Sequence, residues 1–309
     1  MKSIKHGIEE YIQLKRAYGL KFQAGATTLL NFARFCLKNK YKNITVAIIL
    51  EWIQTYPNAS RENVARKIMT LRGFTSYWKA FDCKTELPPK ELSHYQSNRG
   101  NPHIYSPHEI DKLLRACKKL GAEPGQTNPI RPETFQTMFG LIASCGLRRN
   151  EAINLTRKDV DFKNGTILIE MTKFRKSRII PIHPTTLKKM KAYASLRDRA
   201  IKKTICDNFF IMNRGQAVDG DSIYYAFVRS CKMANLRPDI TGSGYPRIHD
   251  LRHTFVVRVI LDWLNANKDV HTLMPALSTY VGHAEPSDTY WYLTGVPELM
   301  RFGLHKEQR

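Results

Sequence analysis

Residues 160–183 run VDFKNGTILIEMTKFRKSRIIPIH, and they set the fold class. Asn164-Gly165 is a strong short hairpin signal, and two β-rich runs follow it, 166–171 and 178–182. They predict a small antiparallel sheet. On both sides of it the pattern is helical. TFQTMFGLIASCG, 134–146, is an apolar helix stopped by Gly146, and helical spacing recurs at about 185–203, 221–235, 249–265 and 271–282. The chain is therefore expected to be mainly α with one small antiparallel β-sheet. Lys173, Arg175, Lys176 and Arg178 crowd the tip between the two runs. Two readings stand: a basic turn that touches a polyanion, or a place from which one lysine enters an active site as a proton donor.

Upstream of this region, residues 1–85 are expected to be all-helical. ATTLLNFARFCLKN, 26–39, spaces Leu29, Leu30, Phe32, Ala33, Cys36 and Leu37 helically, and SRENVARKIMTLRGFTSYWKAF, 60–81, opens on a cap at Ser60. Val64, Ile68, Leu71 and Trp78 share one face of that second helix. Arg61, Arg66, Lys67, Arg72 and Lys79 lie on the other, as a solvated face or a DNA-facing one. The Pro-, Asn- and Ser-rich stretch 86–105 reads as a linker. Ser106, Pro107 and Glu109 then restart a helix with a capping box. The expected division is a helical DNA-binding domain at 1–85, a linker at 86–105, and a second domain at 106–309.

The charge balance names a partner class. Lys and Arg number 49 against 27 Asp and Glu, a net +22, while the apolar fraction of 42% is that of a folded protein. Self-repulsion of this size gains a fold nothing, so a polyanion is expected, DNA before an acidic membrane surface. No long apolar segment predicts a membrane span, and residues 1–19 lack the apolar core of a secretory signal. Cys36, Cys83, Cys117, Cys145, Cys206 and Cys231 form no CxxC pair, which fits reduced thiols in a cytoplasmic protein.

Three further clusters carry chemistry. In CGLRRNEAINL, 145–155, Arg148 sits near a helix start and Glu151 lies one turn on, able to orient an arginine. In IHDLRHTF, 248–255, His249, Arg252 and His253 share a helix face. HDxxH echoes a zinc motif, but Arg252 would point into the metal. A histidine–arginine pair suits a phosphodiester instead. In YVGHAEPSDTYWYLTG, 280–295, His283 follows a helix-ending glycine. Tyr290 and Tyr292 then stand two apart, and on a helix they diverge by roughly 200°.

Taken in order, these clusters resemble the tyrosine recombinases of the phage integrase family over about 105–300. The family pattern is GLR-x-x-E, a hairpin lysine, H-x-L-R-H, G-H, and a tyrosine some nine residues later. The resemblance implies that Arg148 and Arg252 grip a scissile phosphate, with Glu151 supporting the first. It implies Lys173 as general acid, His249 as the proton-handling residue, His283 beside the phosphate, and Tyr292 as nucleophile. Tyr290 should point away, and His253 is expected to be a buried supporting residue. Arg66, Lys67, Arg72, Arg175 and Lys176 are expected to contact DNA. It further implies a C-shaped clamp on double-stranded DNA, a 3′-phosphotyrosyl intermediate without metal or other cofactor, and four protomers acting through a Holliday junction. Accessory or sister recombinases are possible partners, and the C-terminal tail offers apolar residues to a neighbouring protomer. A type IB topoisomerase, or a non-catalytic DNA-binding protein of the same fold, are the rival readings.

Overall fold

In the computed structural model, residues 3–93, 101–121, 130–170, 177–236, 246–283, 285–297 and 299–300 are described. The chain divides into two compact units, Met1–Arg99 and Gly100–Arg309.

The first unit is built from α1 (Ile4–Ala17), α2 (Gln23–Lys38), α3 (Val46–Gln54) and α4 (Arg61–Trp78). Short hydroxyl side chains start three of these helices, because each can take a backbone N–H that the first turn leaves unpaired. Ser3 accepts from His6, Thr45 from Ile48 and Ser60 from Asn63, at 3.2–3.3 Å. The helices enclose Ile8, Leu29, Phe32, Ile49, Leu71 and Phe74, all with no exposed surface. The Phe32 and Trp52 rings meet edge to face at 5.4 Å. Leu37, although in register with the apolar face of α2, stays exposed.

The second unit holds α5 (Pro107–Cys117), α6 (Arg131–Cys145), α7 (Arg149–Asn154), α8 (Pro184–Ala200), α9 (Gly220–Met233), α10 (Ile248–Asn265), α11 (Val270–Val281) and α12 (Ser287–Gly295). The capping box at α5 forms: Ser106 Oγ accepts from the Glu109 N–H at 3.2 Å, and Glu109 accepts from the Ser106 N–H at 2.7 Å. Helix α6 is the centre of the core, with Phe135, Met138, Phe139, Leu141 and Ile142 fully buried. Helix α10 faces two ways. Ile248 and Leu251 join the α6 core, while Val256, Val257 and Ile260 pack with α11 and α12. Its first turns therefore stand where the two apolar clusters meet.

The sheet has three antiparallel strands, β1 (Val160–Asp161), β2 (Thr166–Ile169) and β3 (Arg178–Pro181), in that order. Asn164-Gly165 closes the β1–β2 hairpin, ahead of the two β-rich runs. Asp161 fixes this turn by accepting from the N–H groups of Lys163 and Asn164, and Gly165 takes φ 66°. Thr166 pairs with Pro181 and Ile169 with Arg178, so the chain between β2 and β3 leaves and returns at one end of the sheet.

The stretch 86–105 is tied down at both ends. The Glu86 N–H donates to Ile44 O, and its carboxylate accepts from the Val46 N–H. Tyr105 is buried, and its N–H donates to Thr254 Oγ1 on α10 at 2.9 Å. All six cysteines are free, and four of them are buried. Among the described residues no helix is long and apolar enough to cross a membrane.

Candidate active site

Helix α11 ends at Gly282, which takes φ 70°. A helix C-terminus leaves carbonyls without intrahelical partners and concentrates partial negative charge there. Three consecutive carbonyls at this end each accept from a different arginine. Arg178 Nε donates to Tyr280 O at 2.8 Å, Arg252 Nη2 to Val281 O at 2.7 Å, and Arg148 Nη2 to Gly282 O. Arg252 Nη1 also donates to Gly146 O, at the end of α6, at 2.7 Å. Two helix ends thus gather guanidiniums that come from the start of α7, from β3 and from α10. Gly282 has no room for a side chain here. A Cβ would stand 2.8 Å from Arg178 Nη1 and 3.2 Å from Arg148 Nη1, and its backbone is left-handed.

One carboxylate lies within this set. Glu151 accepts from Arg148 Nη1 and Arg178 Nη2 at 2.8 Å each, and from the Arg148 N–H at 3.0 Å. Burial pushes its carboxyl up, but the Arg178 and Arg148 hydrogen bonds and the Arg178 charge outweigh this, and the net shift is downward. Three guanidiniums against one carboxylate leave two positive charges (3 − 1) in the cluster. Arg252 is 1% exposed. Burial, then the charge of Arg148, pulls its pKa down to about 10. A cluster of this sign in a low-dielectric setting is stabilised by an incoming anion.

Around the arginines stand three histidines. His249 is exposed, yet crowding by protein and the Arg252 charge shift it downward. His283 Nδ1 lies 2.7 Å from the buried hydroxyl of Thr289, and burial with the Arg252 and Arg148 charges takes its pKa to about 4. His253 falls to about 3, by burial and then by the proximity of His249. His253 and His283 are therefore neutral near pH 7.

The two tyrosines of α12 part company as helix geometry requires. Tyr292 is 2% exposed, and its hydroxyl is 2.7 Å from His253 Nδ1. Tyr290 lies toward the start of α11, with its ring stacked on His271 and its hydroxyl directed at His271 O. The carboxylate of the HDxxH string is engaged elsewhere: Asp250 is buried and accepts from the Arg247 N–H at 2.8 Å and from Arg247 Nη2 at 3.0 Å. Among the described residues no three acidic, histidine or cysteine side chains are grouped to hold a metal.

Thus Arg148, Glu151, His249, Arg252, His253, His283 and Tyr292 come together in the second unit. Lys173, Arg175 and Lys176 lie outside the described residues. Arg66, Lys67 and Arg72 are on α4 of the first unit. There Arg66 pairs with Glu62 at 2.6 Å, Lys67 lies over the rings of Tyr56 and Trp52, and Arg72 donates to Pro88 O. Sequence reasoning named Arg178 only as part of the basic hairpin tip, and passed over Thr289. The signal for Arg178 was period-two alternation: it stands two residues from the fully buried Ile180, hence on the same, inward face of β3. Thr289 had no comparable signal.

The phage integrase family model matches residues 104–296. A Sinorhizobium fredii protein, y4rB, whose name describes an integrase/recombinase, is 34% identical over 310 residues, covering 100% of this chain and 98% of that protein. The tyrosine recombinase XerC of Thermodesulfovibrio yellowstonii is 27% identical, covering 77% of this chain and 73% of that one. The XerH site-specific recombinase, solved bound to its difH substrate, shares the fold with a TM-score of 0.62 at 22% identity, over 93% of this chain and 81% of that one. The Tn1549 transposon integrase, solved with transposon end DNA, superposes with a TM-score of 0.66 at 15% identity over the whole of both chains. The chain belongs to the phage integrase family of tyrosine recombinases. It is a site-specific DNA recombinase, an enzyme that breaks and rejoins DNA.

Proposed function

We propose that this recombinase cleaves one strand of a duplex recombination site with Tyr292, forming a 3′-phosphotyrosyl intermediate and releasing a 5′ hydroxyl. The observation that carries this reading is the grip of three arginines on the successive carbonyls of Tyr280, Val281 and Gly282. It pre-positions positive charge before any substrate arrives, which is what a phosphoryl-transfer site without a metal needs. Arg148 and Arg252 then hold the non-bridging oxygens, with Glu151 and Arg178 keeping Arg148 in place. His249 and His283 donate hydrogen bonds to the same phosphate. Lys173, on the β2–β3 connection, gives its proton to the leaving 5′ oxygen. The bond energy stays in the phosphotyrosyl ester, so no cofactor is consumed.

Recombination needs two sites, and four protomers acting through a Holliday junction fit this chemistry, with accessory or sister recombinases as further partners. The basic residues Arg66, Lys67, Arg72, Arg175 and Lys176 would contact the DNA backbone. The enzyme would act in the cytoplasm, at the nucleoid. A nicked suicide duplex tests the reading. A covalent adduct should accumulate in the presence of EDTA, and Tyr292→Phe should bind the same DNA without forming it. Cleavage that requires an added divalent metal, or an adduct on Tyr292→Phe protein, would contradict it.

A further inference from the structure

We propose that His253 is a catalytic residue that takes the proton from Tyr292 as the tyrosine attacks the phosphate. This inference rests on the reading of Tyr292 as nucleophile. A tyrosine hydroxyl with an ordinary pKa near ~10 is a weak nucleophile and needs a base within hydrogen-bond reach. His253 stands at that distance, with its Nδ1 2.7 Å from the Tyr292 hydroxyl. His249 is the residue that the proposed function sets on the phosphate. Its ring meets that of His253 edge-on at 4.6 Å.

The surroundings keep His253 ready to accept. On its own helix it faces His249, Arg247 and Arg252, and across the site it faces His283. From α12 it meets the rings of Trp291 and Tyr292. Burial, with the Arg247 and Arg252 charges, holds the imidazole neutral, so one ring nitrogen carries a lone pair. An arriving phosphodiester brings a negative charge that offsets the Arg252 and Arg148 charges. The basicity of His253 then rises at the moment it is required.

The step balances. The Tyr292 O–H bond breaks and an N–H bond forms on His253 Nδ1. The tyrosine oxygen bonds to phosphorus, and the bond from phosphorus to the 5′ oxygen breaks. The 5′ oxygen takes a proton from Lys173. On rejoining, the His253 imidazolium returns its proton to the departing tyrosine oxygen.

Single-turnover adduct formation on suicide duplexes separates this role from its rivals. One duplex carries the natural 5′ bridging oxygen and the other a 5′ bridging sulfur, a leaving group that needs no proton. His253→Gln keeps a hydrogen-bond partner for Tyr292 but cannot accept its proton. His253→Gln and His253→Ala should both slow adduct formation by about 10²-fold on either duplex. Lys173→Ala should be slow on the oxygen duplex and recover on the sulfur one. Thermal unfolding and DNA binding are measured on each variant, and His253→Gln carries the test if His253→Ala does not fold. The proposal is overturned if His253→Gln works within about threefold of wild type, since a hydrogen bond alone then suffices. It is also overturned if either variant is faster, which would make His253 a restraint, or if sulfur restores the variants, which would place it on the leaving-group side. A wild-type adduct on a residue other than Tyr292 defeats the underlying reading. An adduct on Tyr292 with fast His253→Gln defeats this inference alone.

Discussion

Arg66 on α4 and Arg252 on α10 are the same residue type held by oxygen atoms in opposite ways. Arg66 is exposed and meets a half-exposed Glu62 across one helical turn. Such a pair contributes at most about 1 kcal/mol and can be exchanged for another anion at little cost. Arg252 is buried, and its two terminal nitrogens donate to carbonyls at the ends of two different helices. Its orientation is set by the fold, and no neighbouring carboxylate cancels its charge through a direct hydrogen bond among those described. The first kind of cation suits loose, sequence-independent contact with a phosphate backbone. The second suits one phosphate at one position, with the reorganisation already done.

The largest effect should come from the buried kind. Arg252→Lys keeps the charge but cannot reach Gly146 O and Val281 O together. We expect adduct formation to fall by about 10³-fold or more, with DNA binding retained. Near-normal cleavage would erase the distinction between the two regions. Glu151→Gln comes next. It leaves Arg148 and Arg178 without their shared carboxylate, and breaking a buried pair from one side costs about 3–5 kcal/mol. Chemical denaturation should show that loss, whereas Glu62→Gln on α4 should change stability by less than about 1 kcal/mol.

Acid should act on the second unit in a defined direction. The pKa values of His253 and His283 are depressed to about 3 and about 4 from 6.5. Between pH 6.5 and 4 the unfolded chain therefore binds more protons than the folded one, and stability falls as pH is lowered. Each such group contributes at most about 1.4 kcal/mol per pH unit, less for the half-exposed His283. Glu151, shifted downward, adds loss in the same direction at the acid end, as pH falls through its folded pKa. Melting temperature followed from pH 7 to 4.5 should drop, and His253→Gln should flatten the slope. The smallest effect belongs to α4. Lys67→Ala should leave cleavage of bound DNA unchanged and reduce the salt slope of binding by about 0.9. An unchanged slope would remove Lys67 from the DNA contacts.

Much of this was legible in the sequence, for identifiable reasons. Ser60 and the Ser106–Glu109 box act within one turn, so local spacing is enough to read them. Arg148 to Glu151, and His249 through His253, are likewise single-helix relations. The grip on residues 280–282 was not legible, because it joins α7 and β3 to α11 across more than a hundred residues, and α10 to α11 across 29. Backbone carbonyls carry no signature in a sequence. The Asn164-Gly165 turn was legible, but not the strand β1 that it closes onto β2. A two-residue strand such as Val160–Asp161 is too short to show alternation. The contact of His253 with the Tyr292 hydroxyl depended on tertiary packing.

The central claim is that the arginine-built site activates Tyr292 and not its neighbour on the opposite face of α12. Peptide mapping of the adduct trapped on a nicked suicide duplex tests it directly. The nucleotide should be found on Tyr292, and Tyr290→Phe should form the adduct at close to the wild-type level. A nucleotide on Tyr290, or on any other residue, would contradict the account.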